Sequence, residues 1–162
     1  MNPVALLRAE AGSTPSGTGS YTYFSNFSVV VQNLAFAKLV GIWGHEVGTG
    51  AWSFHPCSYG RSLPANEERW EGSIGSPIDQ FVVEYAASGN VYWDNNGGYN
   101  YSLDAQAAEG TDGVATVVIN PNVLASFGGV DAGNLTVDVL VKNIAFTKQV
   151  AVVYTTDPEF RS

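Results

Sequence analysis

The sequence predicts an all-β fold, an immunoglobulin-like antiparallel β-sandwich of about eight strands. Short stretches rich in Val, Ile and aromatic residues recur along the chain, and Gly and Pro clusters separate them at 13–20, 48–50, 75–77 and 97–98. No apolar period of 3.6 residues extends over a dozen residues, so no long amphipathic helix is indicated. Short strands at this spacing are typical of a sandwich built from antiparallel sheets.

Each apolar stretch is predicted to be one strand. The predicted strands are 4–7, 27–31, 38–43, 70–74, 80–86, 91–93 and 99–103, followed by 114–119, 135–142 and 149–154. Residues alternate in character over 80–86, which predicts that Phe81, Val83 and Tyr85 face the core. Val82 and Glu84 should then face outward.

Composition and charge narrow the class of partner. Charged residues make up only 14% of the 162-residue chain, and the formal net charge is −8. Nucleic acids and anionic membranes bind clustered Lys and Arg, and because the sequence has no such run, both are disfavoured as partners. A neutral ligand such as a glycan is indifferent to this charge.

The compartment is left open by the sequence. The single cysteine, Cys57, cannot form an internal disulfide, so redox chemistry does not fix the location. Triplets of the Asn-X-Ser/Thr type at Asn26, Asn100 and Asn134 favour secretion only slightly. The apolar stretch near the start is too short for a signal peptide or a membrane-spanning helix. We therefore expect either a cytosolic chain or a piece of a longer secreted protein.

An internal repeat organises the chain. Residues 31–40 read VQNLAFAKLV and residues 141–150 read VKNIAFTKQV, an offset of 110 positions from Asn33 to Asn143. We therefore predict one full module at 3–103, a linker at 104–113, and the truncated beginning of a second module at 114–162. A third of a sandwich cannot bury its own apolar face. The second part should dock on the first module, exchange between chains in a dimer, or stay loosely ordered. Phe146 repeats the position of Phe36, but its module is incomplete and it is assigned no function.

The segment 92–101, YWDNNGGYNY, is the most unusual in the chain, with four aromatic residues, three Asn and two Gly. Neighbouring residues of a strand point to opposite faces, so Tyr92 and Trp93 cannot both lie in the core. We predict that Tyr92 enters the sandwich and that Trp93 stays at the surface beside the Asn-rich loop.

A surface tryptophan beside side-chain amides suits sugar binding. The apolar face of a pyranose stacks on a flat ring, and its hydroxyl groups need donors and acceptors, which Asn supplies together. The alternative is a turn in which Asn and Gly supply left-handed backbone geometry while the aromatic rings pack. These residues alone leave both interpretations open.

The motif Tyr92-Trp93-Asp94-Asn95-Asn96-x-Gly98-x-Asn100-Tyr101 resembles the signature of family 21 carbohydrate-binding modules. These are starch-binding domains of some fungal amylolytic enzymes, and they also occur in glycogen-targeting subunits of type-1 protein phosphatase. The segment 31–40 is similar to the other hallmark of the family, and the order and spacing of the two motifs agree. The resemblance covers about 100 residues and implies an eight-stranded immunoglobulin-like sandwich that binds α-1,4-glucan at two surface sites.

The resemblance implies a first site around the Asp-Asn-Asn motif. Trp93 matches a sugar-stacking aromatic, and Trp52 approximately matches the tryptophan that completes the site, with Trp43 as an alternative. The other motif residues expected to take part in this site are Asp94, Asn95, Asn96, Asn100 and Tyr101. Some starch-binding members carry an aromatic residue where this chain has Val82, and its loss would weaken or reshape the site.

The resemblance implies a second site around Phe36. This residue matches a position where Tyr is frequent, and Phe would keep the stacking while losing the hydroxyl group. A core position for Phe36 is the alternative. Tyr59 is a candidate partner. Lys38 is a candidate hydrogen-bond donor to sugar, although a solvated strand end is the more ordinary role for a lysine there.

Rival classes find little support. A glycosidase needs two carboxylates across a cleft, and Glu67, Glu68, Glu84 and Asp94 form no recognisable pair. His45, His55 and Cys57 suggest a metal site but lack any metal-binding spacing. We expect a non-catalytic chain with no cofactor and no metal, and with an α-glucan polysaccharide as partner. A glycogen-targeting scaffold of a phosphatase regulatory subunit remains the alternative function.

Overall fold

The computed structural model describes residues 2–103, 113–119, 123–131, 134–141, 147 and 149–152. Within these ranges the chain forms strands joined by turns. The strands are β1 (Val4–Gly17), β2 (Ser20–Gln32), β3 (Lys38–Glu46), β4 (Trp52–Pro56), β5 (Ser58–Leu63), β6 (Glu67–Ile74), β7 (Ile78–Ala87), β8 (Asn90–Asp94), β9 (Tyr101–Ser102), β10 (Gly113–Ile119), β11 (Val123–Asp131) and β12 (Asn134–Val141). One 3-10 turn, Asn96–Gly98, precedes β9. No helix in this part of the chain is long and apolar enough to cross a membrane.

Two antiparallel sheets pack face to face, which confirms the predicted sandwich. The first sheet has the strand order β10-β1-β2-β6-β5, and the second has the order β4-β3-β7-β8, with β9 also paired to β7. The hairpin of β11 and β12 forms a separate two-stranded sheet. Both large sheets contribute alternate residues to one core.

The core confirms the alternation predicted for 80–86. Phe81, Val83 and Tyr85 are fully buried, whereas Val82 and Glu84 lie on the outer face of the second sheet. The ring of Phe81 meets Phe27 of the first sheet edge to face at a centroid distance of 5.0 Å. This interlocking of the two inner faces removes apolar surface from water and stabilises the sandwich.

The first hairpin is much longer than predicted. The predicted strands 4–7 and 27–31 extend into β1 and β2, which stay paired from Val4–Val31 to Gly17–Ser20. The Gly- and Pro-containing stretch 13–20 therefore forms the ends of two strands and not a loop. Ladder hydrogen bonds and the burial of small residues such as Ala11 and Ser13 outweigh the weak strand propensity of this stretch.

Two edge strands, β4 and β5, were not predicted from the sequence. Strand β4 lies at an edge of the second sheet, and strand β5 lies at an edge of the first sheet. They contain Pro56 and Gly60, residues that are rare in central strands and tolerated at edges. The predicted strand 99–103 shortens to β9, because the 3-10 turn Asn96–Gly98 precedes it.

The segment predicted to begin the second module forms a strand of the first sheet. Strand β10 pairs antiparallel with β1, from Arg8–Ile119 to Ser13–Gly113, and so corresponds to the predicted strand 114–119. β12 corresponds to the predicted strand 135–142, whereas β11 was not predicted. Residues 149–152 are not in a strand, contrary to prediction, and 153–154 lie outside the described residues. The module boundaries at 3–103, 104–113 and 114–162 stay a prediction.

Candidate functional site

One aromatic surface lies on the outer face of the second sheet. An open depression of about 320 Å³ is lined by Trp43, Trp52, Val82, Trp93, Asn95 and Asn100. We call these six residues the first surface. The rings of Trp52 and Trp93 remain 41% and 45% exposed, so both present apolar area to solvent. This surface brings together four of the residues predicted for the first site.

Strand register explains why these side chains meet. In the second sheet Trp43 lies opposite Val82, and Trp52 lies opposite His45. Trp93 lies opposite Glu84 on the neighbouring strand. Directly opposed residues point to the same face, so consecutive strands bring three tryptophans to one side of the sheet.

Tyr92 and Trp93 divide between the two faces as predicted. Tyr92 packs against the core, with its ring 5.8 Å from the ring of Tyr85. Trp93 faces solvent on the first surface. The backbone alternation of β8 therefore confirms the inside and outside assignment.

The loop that carries the Asn residues is held by its own amides. Asn96 and Asn100 have positive φ values of 54° and 56°, a geometry that Asn tolerates better than most residues. Asn95 Oδ1 accepts a hydrogen bond from the Gly98 N–H at 3.0 Å, and Asn96 Nδ2 donates to the Asn100 carbonyl at 2.9 Å. The turn interpretation is thus correct for the backbone.

The same amides keep unused groups. Asn100 Nδ2 donates to Gln80 Oε1 at 3.2 Å, which leaves its Oδ1 as an acceptor toward solvent. No described residue accepts a hydrogen bond from Asn95 Nδ2. Both residues line the first surface, whereas Asn96 is exposed but does not line it. A structural and a ligand-binding role are therefore compatible for Asn95 and Asn100.

Two predicted site residues face inward instead. The ring of Tyr101 is 6% exposed and stacks on Phe81 at 5.1 Å, so it packs in the core, and a direct contact of Tyr101 with a ligand stays a prediction. Its hydroxyl donates to Asp94, with 2.9 Å to Oδ1 and 3.0 Å to Oδ2. Asp94 Oδ2 also accepts the Leu6 N–H at 2.7 Å. Both residues anchor the Asn-rich loop to the sandwich, with the carboxylate directed at the protein.

The Tyr101 hydroxyl resists deprotonation at alkaline pH. Burial, and next the hydrogen bond to Asp94, raise the pKa of the Tyr101 hydroxyl above its ordinary value. The hydroxyl group therefore stays a donor to the carboxylate at neutral and moderately alkaline pH.

A second surface lies where the loop before β3 meets β5 and β6. A depression of about 450 Å³ is lined by Asn33, Phe36, Lys38, Tyr59, Glu68 and Trp70. We call these six residues the second surface. It unites the three residues predicted for the second site. Phe36 is fully exposed, so the alternative of a core position is wrong.

Two aromatic rings of the second surface, those of Tyr59 and Trp70, pack against each other. Tyr59 is 53% exposed and meets Trp70 edge to face at a centroid distance of 5.9 Å. Its hydroxyl lies 2.9 Å from Ser62 Oγ. Phe36 and Tyr59 therefore offer two accessible rings beside one depression.

A buried ion pair between Lys38 and Glu68 lies within the second surface. Lys38 Nζ lies 2.8 and 2.9 Å from the two carboxylate oxygens of Glu68, and it donates to Asn33 Oδ1. The side chains of Lys38 and Glu68 are only 5% and 11% exposed, so the expected solvated strand end is wrong for this lysine. A direct hydrogen bond from Lys38 to a sugar stays a prediction.

Sequence reasoning missed Asn33, Glu68 and Trp70 as members of this surface. Trp70 Nε1 donates to Glu68 Oε2 at 3.0 Å, so the two residues support each other. A signal was present, because residues two apart on a strand share a face. The pattern Glu68-x-Trp70 thus indicated a carboxylate and a ring on one face of a strand, but not that this face meets Asn33 and Lys38.

His45, His55 and Cys57 do not gather into a cluster of metal-ligating side chains in the described part of the chain. No group of three or more metal-ligating side chains occurs in the described ranges. Cys57 is buried, and burial is the main cause that raises the pKa of its thiol to about 12. His45 Nδ1 lies 2.6 Å from Asp79 Oδ1, and the His45 ring contacts Trp52 at 5.5 Å. His45 therefore supports one edge of the first surface.

The sequence of the chain is similar to those of known proteins. The chain is 30% identical to human protein phosphatase 1 regulatory subunit 3B over 109 residues, which is 62% of this chain and 38% of that protein. It is 32% identical to glucoamylase 1 of Rhizopus oryzae over 110 residues, which is 60% of this chain and 18% of that protein. The chain thus spans less than half the length of either relative. No family model matches it.

A solved structure shows the same fold. It is the starch-binding domain of Rhizopus oryzae glucoamylase in complex with β-cyclodextrin and maltoheptaose. The TM-score is 0.50 at 22% identity, over 65% of this chain and 95% of that domain. The resemblance to family 21 carbohydrate-binding modules is confirmed. The similarity to the family 21 modules accounts for about three fifths of the chain, a share close to that of the first predicted module.

Proposed function

We propose that this chain is a non-catalytic module that binds α-1,4-glucan, such as starch or glycogen, on the first and second surfaces. The observation that carries the proposal is the grouping of the predicted sugar-stacking residues. Trp52 and Trp93 share one depression with Asn95 and Asn100, and Phe36 and Tyr59 share another.

The chemistry of both surfaces suits a neutral sugar polymer. Flat exposed rings cover the apolar C–H face of a pyranose at low entropic cost. Neighbouring amides and hydroxyl groups serve the sugar hydroxyls as donors and acceptors. Each depression is open to solvent, which lets a polymer lie across it without a free chain end.

The expected affinity of each surface is modest. A few stacking and hydrogen-bond contacts of about 1 kcal/mol each give micromolar to millimolar dissociation constants. Two surfaces on one module raise the apparent affinity for a long polymer, because the second contact occurs at a high effective concentration.

The scaffold alternative rests on the similarity to phosphatase regulatory subunit 3B. In that case the module would hold a phosphatase on glycogen through other parts of a longer protein. Glucan binding is common to both readings, so they differ in the partner and not in the chemistry of the two surfaces.

Affinity electrophoresis tests the proposal. Native gels contain soluble starch, glycogen, laminarin or no polysaccharide, and we expect retardation only with starch and glycogen. Equal mobility in all four gels would exclude glucan binding by this chain. Retardation by laminarin, a β-glucan, to the same degree would exclude the assignment to α-glucan.

Variants of exposed rings connect the binding to the surfaces. Trp93→Ala and Phe36→Ala should each weaken retardation, and the double variant should weaken it more than either single change. Tyr99→Ala is the matched control, because Tyr99 is 87% exposed but lines neither surface. Its mobility in starch should equal that of the wild type.

A further inference from the structure

Trp43 occupies an unusual position on the first surface. It lies directly opposite Val82 on the neighbouring strand, and both residues line the depression. Val82 is partly buried and too small to offer a flat platform, so of these two opposed residues only Trp43 contributes an aromatic ring to the depression.

The Trp43 ring is fixed by contacts on the same face. Its Nε1–H donates to Glu84 Oε2 at 2.6 Å. Phe54 of β4 packs against it at a centroid distance of 5.5 Å and an interplanar angle of 60°. A ring held in one orientation loses little conformational freedom when a ligand stacks on it, which favours binding.

Glu84 has two neighbours among the tryptophans. It lies opposite Trp93 in the ladder of β7 and β8 and accepts the hydrogen bond from Trp43. No Lys or Arg in the described residues pairs with this carboxylate. The indole of Trp43 is therefore its evident hydrogen-bond partner, and the role of the carboxylate is tied to this surface.

From these contacts we propose that Trp43 is the central stacking platform of the first surface, in place of an aromatic residue at position 82, and that Glu84 is its positioning residue. The inference rests on the proposed glucan binding and extends it to two residues. Val82 leaves open the space that a ring on β7 would fill, and the ring of Trp43 supplies the platform from β3. The glucan chain then lies across Trp43, between Trp52 and Trp93.

Moving the aromatic ring from position 43 on β3 to position 82 on β7 tests whether Trp43 is the stacking platform. All variants carry Phe36→Ala, so that the second surface contributes little and retardation in starch gels reports on the first. Trp43→Ala should weaken starch binding about ten-fold. Adding Val82→Tyr to Trp43→Ala should restore most of it, because the new ring grows from the directly opposite position into the same depression. Val82→Ile in the Trp43→Ala background is the matched control and should restore nothing.

Two substitutions at Glu84 test the positioning role. Glu84→Gln keeps an acceptor for the indole N–H and should bind starch within about two-fold of its parent. Glu84→Ala removes the acceptor and should weaken binding about three- to five-fold. Trp43→Phe, which keeps a ring but has no N–H, should make the two Glu84 variants indistinguishable. Melting temperatures identify any variant that fails to fold.

The outcomes separate the two proposals. If the Phe36→Ala parent is retarded by starch and Trp43→Ala binds equally well, Trp43 is not a platform. If Val82→Tyr and Val82→Ile restore binding to the same degree, a ring at position 82 does not replace the ring of Trp43. If Glu84→Ala binds like Glu84→Gln while Trp43 is present, the positioning role is wrong. If the wild-type chain is not retarded by starch or glycogen, the proposed function itself fails and the platform fails with it.

Discussion

At the scale of single residues, neighbouring aromatic side chains differ in location, because one packs against the core and the next faces solvent. Tyr92 contacts the core and Trp93 contacts solvent, because β8 is a regular strand with alternating faces. Tyr99 and Tyr101 do not follow such a simple rule. The 3-10 turn and the positive φ of Asn100 separate the loop from β9, so Tyr99 is exposed and Tyr101 is buried.

This difference predicts separate effects on stability and binding. Tyr92→Ala should lower the free energy of unfolding by about 3 kcal/mol, because it removes a ring that packs on the core. Trp93→Ala should leave that free energy within about 0.5 kcal/mol of the wild type, because its ring is largely at the surface. Trp93→Ala should in turn weaken starch binding. Urea unfolding together with starch gels checks both effects. An unchanged stability of Tyr92→Ala would reverse the assignment of the two faces.

Among the site residues, the exposed rings were easier to predict from the sequence than the buried residues beneath them. Trp52, Trp93 and Phe36 could be predicted because the motifs carry them. The ion pair of Lys38 and Glu68 could not, since it joins residues 30 positions apart through the register of two different sheets. The burial of Lys38 is a consequence of tertiary packing, and local sequence does not encode it.

At the scale of elements, the central strands were predictable from the sequence, whereas the edge strands β4 and β5 were not. β7 has a strong alternating pattern because both its neighbours and the core constrain it. β4 and β5 have solvent on one side, so fewer contacts constrain their composition. β4 nevertheless supplies Trp52 and Phe54 to the neighbourhood of the first surface, which makes this edge functionally important.

A glycine of β3 determines how closely β4 packs. A Cβ atom at Gly41 would collide with the ring of Phe54 and lie 2.9 Å from the His55 carbonyl oxygen. Phe54 can cover this position only because the side chain is absent. The ring of Phe54 then supports Trp43.

This close approach gives a prediction for the pairing of β3 and β4. Gly41→Ala should destabilise the fold by about 1–3 kcal/mol, as overpacking does. It should also weaken starch binding at the first surface, because displaced Phe54 no longer supports Trp43. Gly48→Ala is the control, since a Cβ there meets no neighbour within 4 Å. Wild-type stability and binding for Gly41→Ala would show that β4 accommodates the methyl group without cost.

At the scale of the whole molecule, β10 extends the first sheet beyond β1. Without β10, the segment Arg8–Ser13 of β1 would be a sheet edge with unpaired backbone groups. Val118 packs against the core opposite Ala9, whereas Val117 is 41% exposed opposite Glu10. Val118 therefore extends the core, whereas Val117 faces solvent.

Docking of β10 should keep the chain from associating through this edge. Val118→Asn places an amide against the core, which costs about 1–3 kcal/mol and favours release of β10. We expect this variant to form dimers or larger species as its concentration rises in sedimentation velocity experiments, because the exposed edge of β1 can pair with another chain. Val117→Asn makes the same change on the solvent face and should sediment like the wild type. Starch binding should persist in both variants, because neither surface includes β10. Equal sedimentation of the two variants at all concentrations would show that β10 does not protect the edge.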